Sequence, residues 1–359
     1  MESSPASDPL DAADLRQRVQ KALDTFVARQ VPLLDGISEE LGHLTDALSE
    51  LVSGGKRLRP AFCYWGFRGA GGDDGEAIIE AGAALELFQA CALIHDDVMD
   101  GSDTRRGRPA VHRRFASLHR AEGWVGDPEA FGTGAAILLG DLCLSWSDEL
   151  LCSTDVQADR LAAAQRVFDL MRTELMGGQY LDLLEQARGG GSVERALRVA
   201  RYKSAKYTIE KPLHLGAALA GAGPDVVSGY SGYGLPLGEA FQLRDDVLGV
   251  FGDPEATGKP AGDDLREGKR TALVAMALET ATPGQAAAVR RHLGDPHLSV
   301  EGVAQLREVI QETGALARVE ALIEELTGDA LNALDAVPVT DEGREVLRQL
   351  AAAATSRSV

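Results

Sequence analysis

Two acidic clusters stand far apart in this chain, Leu93-Ile94-His95-Asp96-Asp97-Val98-Met99-Asp100 and Phe241-Gln242-Leu243-Arg244-Asp245-Asp246-Val247-Leu248-Gly249. Each lies in an apolar run with helical periodicity, where an unpaired carboxylate is costly. Asp96 and Asp100 are related as i and i+4, so on a helix their carboxylates share one face. Like charges held that close raise each other's pKa unless a cation lies between them. Two such faces pointing into one cavity make an all-oxygen cage for hard divalent ions that also carry phosphate, the habit of Mg²⁺. The chemistry implied is chemistry on a diphosphate.

An anionic substrate needs cations, and these occur in short groups. Gly54-Gly55-Lys56-Arg57-Leu58-Arg59-Pro60 sets three of them on a glycine turn feeding a helix, a combination suited to phosphate. Arg105 and Arg106 follow the first acidic cluster at the helix end. Either group taken alone reads equally well as a solvated basic turn.

The elements that must position these residues are helical. The chain has 359 residues and 45% hydrophobic content but only 5% aromatics, and alternating β-branched runs are scarce. The expected fold class is all-α, a single large helical bundle with a central active-site cavity. Residues 1–12 read as a disordered lead-in and 13–355 as one helical domain. Breaks are expected at Ser53–Gly55, Gly69–Gly75, 121–134, Gly189–Ser192, Gly221–Pro236 and the charged loop Gly252–Gly268.

A net charge of −19 argues against nucleic acid and anionic membrane surfaces as partners. Cys63, Cys91, Cys143 and Cys152 show no metal-ligand or paired spacing, which fits reduced thiols in a cytoplasmic protein. Met1–Asp11 lacks a signal-peptide pattern, and no apolar run is expected to approach the roughly 20 residues of a membrane span.

The ordered series Gly-Gly-Lys-Arg, Asp-Asp-x-x-Asp, Arg-Arg-Gly and Phe-Gln-x-x-Asp-Asp resembles the polyprenyl synthetase family, the trans-type isoprenyl diphosphate synthases. Gly178-Gln179-Tyr180-Leu181-Asp182, Tyr202-Lys203-Ser204-Ala205 and Thr257-Gly258-Lys259 extend the resemblance over residues 50–275. The resemblance implies an isoprenoid-synthase fold, a homodimer, and condensation of isopentenyl diphosphate with an allylic diphosphate. It implies that Asp96, Asp100 and Asp245 hold Mg²⁺, three ions in all, with Asp97 and Asp246 in support. By the same resemblance Arg105, Lys203, Lys259 and Lys269 meet the allylic diphosphate, with Ser204 where the family usually has Thr. Gln242 falls near the allylic carbon. Lys56, Arg59, Gln89 and Arg106 match the isopentenyl diphosphate site.

The resemblance also places a product-length floor on the helix before Asp96. Cys91 and Ala92, where shorter-product enzymes carry aromatics, are small, and Phe88 is the first large residue on that face. A floor three residues lower is about 4.5 Å deeper, one isoprene unit, which implies a twenty-carbon product, geranylgeranyl diphosphate. A farnesyl-length or longer product is the alternative. Gly249 departs from the family, which often has a third Asp there, and weaker or water-mediated metal contact is expected at that corner. A class I terpene cyclase would not need Gly54–Arg59, and a silent partner subunit would not keep Asp96, Asp97, Asp100, Asp245, Lys203 and Lys259. His95 and Asp103 have no required role.

Overall fold

The computed structural model describes residues 9–189, 191–252 and 262–355. Among these the chain is helical almost throughout, and its strands are the two-residue pair β1 (Thr104–Arg105) and β2 (Arg108–Pro109). The all-α expectation holds. Of the lead-in, residues 1–8 lie outside the described residues, and Pro9–Asp14 form a short 3₁₀ helix. The chain divides into two compact units, one running to Gln165 and including Gly216–Gly221, the other comprising Arg166–Leu215 and Ala222 onward.

In the first unit α1 (Leu15–Asp35), α2 (Gly42–Val52) and α3 (Leu58–Gly69) precede α4 (Glu76–Asp100), the central helix. Helix α4 packs on α1, α3 and α6 (Pro128–Cys152), and α5 (Val111–Ala121) packs on α6. Ile78, Ala81, Ala84, Leu85, Leu87, Phe88 and Ile94 of α4 are all buried, so nearly its whole girth is core and it needs no amphipathic stripe. Gly101 ends it in the left-handed conformation, φ 66°, its N–H donating to the Asp97 carbonyl.

By length and composition α4 and α6 would each suffice to cross a membrane, which differs from the expectation that no apolar stretch comes near that length. The charges that interrupt these runs are few enough for an 18-residue window to remain apolar. In α4, 72% of that window is buried in protein, as in a core helix.

The second unit contains most of α7 (Ala158–Arg188), then α8 (Val193–Val199), a π-helical segment (Ala200–Glu210), the start of α9 (Lys211–Ala220) and α10 (Pro224–Phe251). After α11 (Asp263–Glu267) come α12 (Ala272–Thr280), α13 (Pro283–His292), α14 (Val300–Glu312), α15 (Ala315–Ala336) and α16 (Asp341–Thr355). Helix α10 packs on the π-helical segment, α15 and α16.

Two expected breaks are helical instead. Gly221–Pro236 reads as a loop for its glycines and prolines, yet α10 begins at Pro224 and runs through Pro236. An interior proline costs about 3 kcal/mol, but Tyr230, Tyr233 and Leu237 are completely buried and the Tyr233 hydroxyl donates to the Leu347 carbonyl at 2.6 Å. Burial of two tyrosines outweighs the proline. Helix α6 likewise starts at Pro128, ahead of the expected Ala135, because Asp127 caps it and Pro128 suits the first turn.

Candidate active site

The end of α4 and the hairpin after it make one arrangement. Arg106 and Gly107, at φ 54° and 74°, form the two-residue turn between β1 and β2, which pair Thr104 with Pro109 and Arg105 with Arg108. Positive φ at both central positions is the geometry a tight hairpin needs. The hairpin is tied down at its base, where the Ala110 N–H donates to the Asp103 carbonyl at 2.9 Å and Arg113 Nε lies 2.8 Å from Asp103 Oδ1. Asp103 thus holds the hairpin to α5.

So held, Arg105 folds back on α4. Its Nε donates to both oxygens of buried Asp97, at 3.0 and 3.2 Å, and its Nη2 lies 3.7 Å from Asp96 Oδ2. Asp97 anchors the guanidinium. Asp96 and Asp100, one helical turn apart, are the pair of hard oxygen donors on this face.

A second arrangement surrounds the glycine turn before α3. Gly54, Gly55 and Arg57 all have positive φ, 75°, 97° and 54°, a conformation costing about 1–3 kcal/mol at a non-glycine residue. Arg57 is buried and points inward, donating to Glu86 of α4, Gln20 Oε1 and the Val52 carbonyl. Lys56 is exposed and Arg59 half-buried. Arg106 donates to the Leu51 carbonyl at 3.2 Å. Gln89 and Arg106 line a small, open concavity with Arg57, Glu86, Leu51 and Leu93. Desolvation, then the like charges of Arg57, Arg105 and Arg59, lower the Arg106 guanidinium pKa against the opposing pull of Glu86. An anion entering this cluster would relieve that repulsion.

In the second unit, Lys203 and Ser204 lie on the π-helical segment. Gly178 of α7 and Gly238 of α10 press on it: a Cβ on Gly178 would stand 2.3 Å from the Lys203 nitrogen, and one on Gly238 would stand 2.6 Å from the Ala205 oxygen. Backbone contact this close suits a single-residue register change, and π turns are frequent at functional sites. Lys203 Nζ donates to Asp182 at 2.6 Å. On α10 the Gln242 amide donates to Asp246 at 2.7 Å, and Asp245, one residue earlier, is exposed. Burial, then the charges of Asp264 and Asp245, push the Asp246 carboxyl well above the usual carboxylate range, against the Gln242 hydrogen bond and Lys269. Lys269 Nζ lies 3.1 Å from Asp264 and 2.7 Å from Glu267. Lys259 lies outside the described residues.

Among the described residues no three His, Cys, Asp or Glu side chains gather into one ligand set. The donors present are carboxylates in pairs, which fits an ion such as Mg²⁺ that takes one or two carboxylates and keeps its other positions for water and phosphate. His95 is no ligand: its Nε2 lies 3.2 Å from the Ile137 carbonyl, and its ring fills the space over Gly140 of α6. Phe88 and Cys91 are buried and Ala92 is half-buried. Burial, then Asp141, pushes the Cys91 thiol up to about 12, as for an inert packed thiol.

Residue-pattern reasoning missed Glu86, the role of Asp182 and the partly buried quartet of Glu174, Lys206, Glu210 and Lys211, in which Lys206 Nζ lies 2.7 Å and Lys211 Nζ 3.2 Å from Glu174. Glu86 carried a signal, a lone carboxylate in an apolar run that demands a buried cation.

The sequence pattern of the family described as Polyprenyl synthetase matches residues 42–310. The chain is 32% identical over 327 residues to the geranylfarnesyl diphosphate synthase of Aeropyrum pernix, covering 89% of this chain and 95% of that protein. Among solved structures it is similar to the geranylgeranyl pyrophosphate synthase of Corynebacterium glutamicum complexed with isoprenyl diphosphate and magnesium. That match has a TM-score of 0.93 at 44% identity, over 96% of this chain and 99% of the other. It is also similar to a polyprenyl synthase from Caulobacter crescentus complexed with calcium and isoprenyl diphosphate, with a TM-score of 0.79 at 28% identity over 98% of each chain.

Proposed function

The chain belongs to the polyprenyl synthetase family as a trans-isoprenyl diphosphate synthase, and on that premise we propose that it condenses isopentenyl diphosphate with an allylic diphosphate to give geranylgeranyl diphosphate. The observation that carries this reading is that the first unit holds two separate charged clusters, each suited to a diphosphate. One is the Asp96/Asp100 face with Arg105 beside it, and the other is the Lys56, Arg59, Gln89 and Arg106 group around the Gly54–Gly55 turn. A reaction joining two diphosphates needs both, whereas a cyclase needs one.

The chain's residues act mainly by position and charge. Asp96, Asp100 and Asp245 would hold Mg²⁺, three ions in all, and the chemistry these would supply is withdrawal of the leaving group's charge. Arg105, Lys203, Lys259 and Lys269 bind the allylic diphosphate as its C–O bond breaks and the electron pair leaves with oxygen. Asp97 keeps Arg105 aimed, as Asp182 keeps Lys203 and Asp246 keeps Gln242. The oxygen dipoles of Gln242, Ser204 and the Lys203 carbonyl stabilise the allylic cation. Lys56, Arg59, Gln89 and Arg106 hold isopentenyl diphosphate so that its double bond attacks that cation. The proton lost in restoring neutrality passes to the departing diphosphate.

Phe88, with Cys91 and Ala92 small above it, is the proposed floor. A longer product is the second reading, favoured by the likeness to a geranylfarnesyl diphosphate synthase. We further propose that residues 13–355 act as one catalytic domain in a cytoplasmic homodimer. The support for association is α6, only 39% of whose apolar window is buried, with Leu138 62% exposed and Ile137 43% exposed. Buried Cys63, Cys91 and Cys143 support the compartment.

The test is radiolabelled isopentenyl diphosphate with dimethylallyl, geranyl or farnesyl diphosphate, in Mg²⁺ or in chelator. Metal-dependent C20 alcohol after dephosphorylation is expected. A C15 or C25 product overturns the floor and leaves the reaction standing. No elongation from any primer overturns the reaction.

A further inference from the structure

Gly249 stands one helical turn beyond Asp245 on α10, the same i, i+4 relation that joins Asp96 to Asp100 on α4. It is where the second acidic face lacks the carboxylate that the first one has. Another element fills that place. A Cβ built on Gly249 would stand 1.8 Å from Asp264 Oδ2 and 2.7 Å from its Cγ, so the Asp264 carboxylate occupies the volume of a side chain at 249. Gly249 is ordinary α-helix, outside the left-handed region. A glycine inside a helix is unfavourable by about 1 kcal/mol, and the approach of Asp264, not the backbone, requires it here.

Asp264 is held in that place. Gly262 and Gly268, both at φ 75°, bracket the single turn of α11, whose Leu265 is buried and whose Leu265 carbonyl accepts from the Gly294 N–H at 2.9 Å. The Lys269 N–H donates to the Asp264 carbonyl at 3.0 Å. The Asp264 side chain is 14% exposed, and the Lys269 ammonium stands 3.1 Å from its Oδ1. A cation therefore already occupies one oxygen of a carboxylate aimed across the turn above Asp245.

We propose that Asp264 is the second carboxylate of the α10 face, supplied from α11 in place of residue 249, so that Asp245 and Asp264 together meet the Mg²⁺–diphosphate as Asp96 and Asp100 do. This rests on the reaction proposed above. It replaces the expected weakness at Gly249 with a complete two-carboxylate face, and it makes positions 249 and 264 exchangeable: the acid can sit on either, but not on both.

The experiment uses the full chain and binding in place of turnover. Calorimetric titration of inorganic pyrophosphate across a Mg²⁺ series gives the Mg²⁺ concentration at half-maximal binding. Asp264→Asn, which keeps the shape, and Asp264→Ala should each raise that midpoint about tenfold or more. The exchange Gly249→Asp/Asp264→Ala should return it to within about threefold of the parent. Melting in chelator identifies any variant that fails to fold, and Asp264→Asn then carries the test. A parent-like midpoint for Asp264→Asn, or an exchange variant no better than Asp264→Ala, overturns the proposal. A parent that binds no pyrophosphate with Mg²⁺ overturns the proposed reaction first.

Discussion

The Arg106 guanidinium lies flat over Gly55: a Cβ on that glycine would stand 3.3 Å from both Nη1 and Nη2. Gly55 is therefore glycine for two reasons, its φ of 97° and the closeness of the arginine. Arg106 is itself held at positive φ in the hairpin turn, so a strained arginine is set against a positive-φ glycine at the proposed isopentenyl diphosphate site.

Gly55→Ala should therefore act on one substrate. The added methyl group strains the turn and pushes Arg106 from its place. We expect KM for isopentenyl diphosphate to rise about tenfold, a loss of about 1.4 kcal/mol of binding, with kcat within about twofold. Steady-state kinetics with each substrate varied in turn check this. An equal rise in both KM values would remove Arg106 from that site.

The buried pair of Arg57 and Glu86 is a fold element with a functional address. Glu86→Leu or Arg57→Met alone leaves a buried charge uncompensated and should cost about 3–5 kcal/mol, whereas Arg57→Met with Glu86→Leu should recover most of it. Urea unfolding of the three variants measures the coupling. Additive losses would show that the charges do not depend on each other.

His214 sets a limb of the pH–stability profile. Burial, then Lys211, lowers its pKa to about 4 against the pull of Glu210, and its Nε2 lies 3.0 Å from the Ser231 hydroxyl. The unfolded chain takes up the proton near pH 6.5 and the folded one only near 4. Stability is thus fully present above about pH 6.5 and is lost as pH falls toward 4, by about 3 kcal/mol in all. His214→Gln should flatten that limb in urea titrations between pH 7 and 4, and an unchanged slope would assign it to other groups.

Phe88→Ala should lengthen the product beyond C20, because the side chain removed is the proposed floor of the chain's path. The truncation also leaves a cavity costing about 3–5 kcal/mol, so product analysis is paired with a melting curve at the assay temperature. A folded variant still stopping at C20 would place the floor on another helix.

Much of this protein is written in local sequence. The i, i+4 spacing of Asp96 and Asp100, the positive-φ demand of Gly54–Gly55 and the Ala- and Leu-rich periodicity depend only on neighbouring residues and the period of a helix. The all-α class and the choice of diphosphate chemistry follow from them. Tertiary structure decided what local sequence left open. Pro236 lies inside a helix because two distant surfaces bury Tyr230 and Tyr233. Arg57, one of three neighbouring cations in the motif, turns inward because Glu86 waits there, while Lys56 faces water. Asp264 stands over Gly249 because α11 packs against α10, a contact between elements that no local spacing predicts. Spacing specifies which residues share a helix face, but burial and charge pairing between distant elements decide what each of those faces meets.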